Sequence, residues 1–265
     1  MASVPVVPVM QDRLRGFRPV LRFIAVVAGL AVLWEGVVLI FRPPPFLLPG
    51  IGRVANALWT RPELWQQHTL TTLTETIIGL VTGTVAGAAL ALLMSFLPLT
   101  RRIVLPTLVV SQAFPVFAIA PLLVLWFGYG LGSKIVMATV AIFFPVASAF
   151  HDGLTRTDPG LIDLTKLYRA RHWQEVALVR VPFAIPSLVS GLRLAAVYAP
   201  IGALIGEWVG ASSGLGYAML MANGRAQTDV VFACLFLIAV MSLALRALVD
   251  LATRNVAPWA PENPA

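Results

Sequence analysis

Apolar residues fall in blocks too long for a soluble core, and the polar breaks between them organise the chain. The first block, Phe23 to Phe41, is about the length that crosses a bilayer. Arg13, Arg15, Arg18 and Arg22 precede it, and an Arg-Pro-Pro-Pro run follows where a secretory leader would carry small residues, so it reads as a retained membrane helix. Residues 42–66 begin with several prolines and read as an external segment carrying one short surface helix. Further blocks predict helices over Thr69–Leu97, Ile103–Phe127, Ile135–Phe150, Ala184–Leu204 and Val230–Leu248, so six spans in all. The expected class is an all-α integral membrane protein. Its parts are an arm over 1–22, a membrane domain over 23–251 containing a hook at about 152–183, and a tail over 252–265.

Within these blocks a few residues break the apolar rule. Gly79, Gly83 and Gly87 share one helix face at four-residue spacing, the small-residue pattern that lets helices approach closely in lipid. Pro106, Pro115 and Pro121 interrupt the third span, with Ser111 and Gln112 beside the central break; irregular backbone at membrane depth is tolerated where protein buries it or it lines a cavity. Glu35 and Glu207 are costly in lipid. Glu35 should face protein or an interface, and Glu207 a buried partner, a symmetry mate or an aqueous path. Gly128 to Lys134, GYGLGSK, lacks the Gly-Lys-Ser/Thr ending of a phosphate loop and joins two membrane helices, so it reads as a turn.

Composition agrees with the pattern. Of 265 residues 58% are hydrophobic and 12% charged, with a mean hydropathy of +0.86, outside the range of soluble domains. The formal net charge of +7 reads as topology and not as nucleic-acid binding. Arg42, Arg53, Arg61, Lys134 and Arg225 fall on one side of the predicted membrane and every other Lys and Arg on the opposite side, which places both termini in the cytoplasm. Cys234 stands alone in an apolar run, so no internal disulfide forms. His68, His151 and His172 are scattered and read as interfacial residues. No nucleophile–base pair, metal-ligand cluster or ATP-binding motif is present, so the chain reads as a non-enzyme whose energy comes from a partner or an ion gradient.

The longest polar interruption is Thr157 to Leu194, TDPGLIDLTKLYRARHWQEVALVRVPFAIPSLVSGLRL. Asp158-Pro159 is a helix-start signal. Leu161, Ile162, Leu164, Thr165, Tyr168 and Trp173 recur at three- and four-residue steps and predict a short amphipathic helix through Arg171. Pro182 and Pro186 bracket the start of the next apolar block.

This stretch resembles the cytoplasmic EAA loop of binding-protein-dependent ABC importer permeases. The residues that carry the likeness are Asp163, Leu164 and Thr165, then Arg169-Ala170, Trp173-Gln174, Arg180-Val181-Pro182 and Pro186; Arg169 stands where the family usually has glycine and Thr165 where it has alanine. The downstream segment GEWVGASSGLGY, Gly206 to Tyr217, is also similar to the family. The resemblance implies the type I importer permease fold in a bacterial inner membrane and a second copy of the chain. It further implies separate ATPase subunits that bind ATP and Mg, and an extracytoplasmic binding protein. Coupling to the ATPase would then fall to Asp163, Leu167, Tyr168, Arg169, Ala170, Arg171 and Trp173, and the path would be lined by Gln112, Phe114, Tyr198 and Glu207. Among the permeases of this family the segment from Ala195 to Tyr217 is most similar to those for thiamine-pyrimidine precursors, with riboflavin importers near by. Sulfonate, taurine and nitrate permeases share the shorter GLGY-type segment. A self-contained secondary carrier or channel is the competing class; it would be expected to show a repeated half and a chain of intramembrane charges, and neither is evident.

Overall fold

The computed structural model describes residues 10–111 and 115–259, all helical or in short connections. The helices are α1 (Met10–Phe41), α2 (Ile51–Thr60), α3 (Pro62–Phe96), α4 (Pro98–Ser111), α5 (Val116–Phe127) and α6 (Leu131–Thr155), followed by α7 (Pro159–Leu167), α8 (His172–Glu175), α9 (Val181–Gly210), α10 (Leu215–Gly224) and α11 (Thr228–Thr253). A single π-helical segment, Val176–Arg180, joins α8 to α9 without a break. Among the described residues five stretches are long and apolar enough to cross a membrane: Ile24–Phe41, α3, α6, His172–Gly210 and α11.

The third expected span, Ile103–Phe127, is instead two helices, α4 and α5, because Pro115 is the N-cap of a new helix and not an interior kink. The fifth runs further than its apolar core indicates, from the hook to Gly210, so that Glu207 lies in its last turn and not beyond it. Between the fifth and last expected spans, where no helix was assigned, lies a further helix, α10. Its start follows Gly214 at φ 111, a backbone conformation open to glycine.

α3, α6 and α9 form the centre. Along α3 one face is buried from end to end: His68, Thr72 and Glu75 at the outer end, Gly79, Gly83 and Gly87 in the middle, Ala91 and Met94 at the inner end. The glycines seat α3 directly on the α6 backbone. A Cβ on Gly83 would lie 2.9 Å from the Ile142 Cβ, and one on Gly87 2.7 Å from the Phe143 carbonyl oxygen. In lipid, where burial of apolar surface gives no net drive between helices, such close contact supplies the packing energy. On the other face of α6, Gly153, Gly191 and Gly202 serve the α6–α9 contact in the same way. α11 and α10 close the core through Cys234, Ile238, Leu215 and Ala218, while Trp65 donates its indole N–H to the Ala57 carbonyl at 2.9 Å and ties α2 to α3. α1 joins the bundle through Trp34, whose ring lies 4.9 Å from that of Phe232, while none of its apolar window is fully buried.

Candidate functional site

Two polar constellations stand out against this apolar bundle, one at each end of α9. The outer one is buried. His68, Thr72 and Glu75 share a face of α3 at steps of four and three residues, opposite Glu207 on α9 and the turn that opens α10. Glu75 and Glu207 are both 1% exposed. The Glu207 carboxylate accepts from the Thr72 hydroxyl at 2.6 Å and from the Gly216 N–H at 2.5 Å. Thr72 Oγ1 accepts from the Leu215 N–H at 2.8 Å, and His68 Nδ1 from the Gly214 N–H at 3.0 Å. Three successive N–H groups at the start of α10, which have no partner inside their own helix, thus end on side chains of α3 and α9. Hydrogen bonds from three consecutive residues pin the end of the 211–216 turn. The Glu75 carboxyl meets that of Glu207, and the Lys134 ammonium exerts its charge on both.

Lys134, counted from the sequence among the external cations, is instead buried. Its ammonium donates to the carbonyls of Tyr129 at 2.6 Å, Gly130 at 2.9 Å and Gly210 at 2.6 Å, so it holds the ends of α5 and α9 together. His68 is likewise a buried hydrogen-bond acceptor and not an interfacial residue. A trace of this network is present in the sequence, since Glu75, Thr72 and His68 continue the stripe of Gly79, Gly83 and Gly87 backwards along the same face.

The inner constellation is the hook, and it is exposed. Asp158 caps α7, its Oδ1 accepting from the Gly160 N–H at 2.7 Å with Pro159 in the first turn. α7 ends at Leu167, short of the expected Arg171, because the chain reverses in a Schellman turn: the Ala170 N–H donates to the Thr165 carbonyl at 2.9 Å and that of Arg169 to Lys166 at 3.0 Å. That turn needs a left-handed residue. Arg169 supplies it at φ 50, at the position where glycine was noted as the usual residue. A new helix then starts at His172, with the Arg171 N–H donating to Gln174 Oε1 at 2.8 Å.

The turn leaves Leu167 and Tyr168 each 78% exposed, with Trp173, Leu164, Arg169 and Arg171 on the same exposed tip. Ala170 is half-buried beneath them. Asp163 is paired on the surface with Lys166 at 2.8 Å, and this hydrogen bond and the carboxylate charge raise the Lys166 pKa above its ordinary value. The hook is held to the bundle by His172, whose Nε2 lies 3.1 Å from the Ser95 carbonyl, and by Arg180, which donates to the Leu154 carbonyl of α6 at 3.5 Å while it is fixed by Glu175 Oε1 at 2.5 and 2.8 Å. Of the expected path residues, Tyr198 is half exposed on α9, Glu207 sits in the buried network, and Gln112 and Phe114 lie outside the described residues.

An all-helical bundle with five stretches long enough to span a membrane, one of them running unbroken into an exposed polar hook, defines a helical membrane protein. The binding-protein-dependent transport system inner membrane component family matches residues 79–260, and the chain belongs to it. It is the inner-membrane permease subunit of an ABC importer; the ATPase is a separate subunit, and a binding protein works with the assembly. Among relatives, a probable ABC transporter permease protein of Haemophilus influenzae is 45% identical over 90% of this chain and 96% of its own length. The formylaminopyrimidine transport permease protein ThiX of Halalkalibacterium halodurans is 35% identical over 87% of this chain and 92% of its own. In fold the chain is similar to a chain of the inward-facing MetNI methionine ABC transporter, with a TM-score of 0.56 at 21% identity over 78% of this chain and 99% of that one.

Proposed function

We propose that this permease passes a thiamine pyrimidine precursor of the formylaminopyrimidine type, between two copies of the chain, into the cytoplasm. The observation that carries the reading is the 35% identity to a formylaminopyrimidine permease across nearly the full length of both proteins. A physical point supports it. Arg193, the α9 cation best placed to attract a sulfonate, is committed to Asp250 at 2.7 Å, which leaves the half-exposed Tyr198 to offer an aromatic, uncharged wall. A flat heterocycle passes such a wall without being held tightly, as a conduit requires. Gln112 and Phe114 would continue this wall, with Glu207 beneath its outer end.

The hook couples the path to the ATPase. Leu167, Tyr168 and Trp173 supply apolar anchors, Arg169 and Arg171 a basic edge, and Asp163 with Ala170 shapes the tip that enters a groove with an apolar floor and acidic rim. The test is uptake into vesicles holding the permease with its ATPase, offered formylaminopyrimidine, riboflavin or taurine, each with a matching binding protein. ATP-dependent uptake of the pyrimidine is expected. Uptake of taurine alone overturns the substrate, and uptake without ATP overturns the coupling.

A further inference from the structure

We propose that the outer end of α1 and the start of α2 enclose a binding site for the headgroup of an anionic phospholipid. The chain leaves α1 at Arg42, turns there with φ 45, and returns through a proline-rich bend to α2. The bend is held open in a fixed shape: Glu35 Oε2 accepts from the Ile51 N–H at 2.9 Å, and the Trp34 indole donates to the Pro49 carbonyl at 3.0 Å. Between them lies a cleft of about 490 Å³ whose lining includes Glu35, Val38, Arg42 and Arg53. Glu35 is engaged by the backbone of α2. Both arginines line the cleft and neither has a carboxylate partner among the described residues, so two cations share it, a setting that suits a phosphodiester.

The setting selects a lipid. The apolar window of α1 is 0% buried in the bundle, so the cleft sits at the end of a helix that turns Trp34 to the core and leaves its other face to acyl chains. Phe41, next to Arg42, and Trp59, towards the other end of α2, are 76% and 87% exposed, as suits aromatic residues at headgroup depth. Val38 forms the foot of the cleft and joins it to that apolar face, so a headgroup seated between the arginines would lay its chains down α1. An acidic protein surface would satisfy the arginines but not the exposed aromatic residues and the open apolar face of α1.

The experiment uses the assembled permease–ATPase complex in micelles with equal dioleoylphosphatidylglycerol and dioleoylphosphatidylcholine, and counts retained lipid by native mass spectrometry. The wild-type complex is expected to retain the phosphatidylglycerol preferentially. Arg42→Gln and Arg53→Gln should each lower that preference roughly fivefold, from the surface attraction of one arginine for anionic lipid, whereas Arg42→Lys/Arg53→Lys should keep most of it. Arg225→Gln removes an exposed outer charge that does not line the cleft and should change nothing. Equal retention of both lipids, an equal loss in Arg225→Gln, or full displacement by millimolar inorganic phosphate overturns the proposal. So does a double glutamine variant that keeps its lipid and instead loses stimulation by the binding protein.

Discussion

Arg169 carries a conformational cost that the rest of the hook has to offset. A left-handed non-glycine residue is disfavoured by about 1–2 kcal/mol, and its φ of 50 is imposed by the Schellman turn around it. Arg169→Gly is therefore expected to raise the melting temperature of the purified complex while lowering ATPase stimulation, if the guanidinium is part of the basic edge. A variant that melts higher and transports normally would place the role of this position in the turn alone. Glu207 behaves in the opposite sense. Glu207→Leu leaves the Gly216 N–H buried without an acceptor, at about 1–3 kcal/mol, and leaves the Thr72 hydroxyl only the longer contact to the His68 carbonyl at 3.2 Å, so the complex should melt lower. Glu207→Gln keeps one acceptor oxygen and should fall between the two. Arg169 stood out in the sequence because its environment is local and its departure from the family pattern is visible. The partners of Glu207 were not legible, since Thr72 lies 135 positions away and only the fold brings the two together.

Among elements, α3 shows how one periodic face changes chemistry along its length. The glycine stripe was readable as a packing surface, and the structure uses it that way against α6. Gly87→Val should prevent assembly, because the first added carbon already meets the Phe143 carbonyl. Gly36→Val on α1, where nothing lies within 4 Å, should express and melt like the wild type. Fluorescence-detected size-exclusion chromatography separates the two outcomes. Helix ends were less legible than helix cores. α9 extends beyond its apolar block at both ends, because at the inner end the hook continues it and at the outer end Lys134 and Glu207 satisfy polar groups that lipid would reject. The split of the third span follows from Pro115, whose sequence signal is the same whether a proline kinks a helix or starts a new one.

For the whole molecule, the all-helical membrane class and the polar hook were legible in hydropathy, but the six expected spans were not all found: five stretches are long and apolar enough among the described residues, and the helix at Leu215–Gly224 comes only from tertiary packing. The central functional prediction belongs at this scale. Ala170→Glu places a bulky charge beneath the exposed tip and should leave insertion and assembly intact while reducing ATP-driven uptake about tenfold or more, the effect of removing about 1.4 kcal/mol of docking energy. Uptake by that variant at the wild-type rate would remove the hook from the coupling step.

The unbroken helix from His172 to Gly210 has a mechanical consequence. Its 39 residues make a lever about 58 Å long at 1.5 Å per residue, with the cytoplasmic tip at one end and the Glu207 clasp at the other. A rigid rod of that length tilting by about 5° would sweep its far end through about 5 Å, more than the hydrogen bonds at the clasp could survive. Pro186 and Pro200 within it act as compliant joints, dividing the lever into a handle, a shaft and a latch. A stroke at the handle then reaches the latch attenuated, so the outer end can stay fastened until the joints have taken up their play. Pro200→Ala, which stiffens the last joint, is expected to release the latch early, seen as more ATP hydrolysed for each substrate molecule carried.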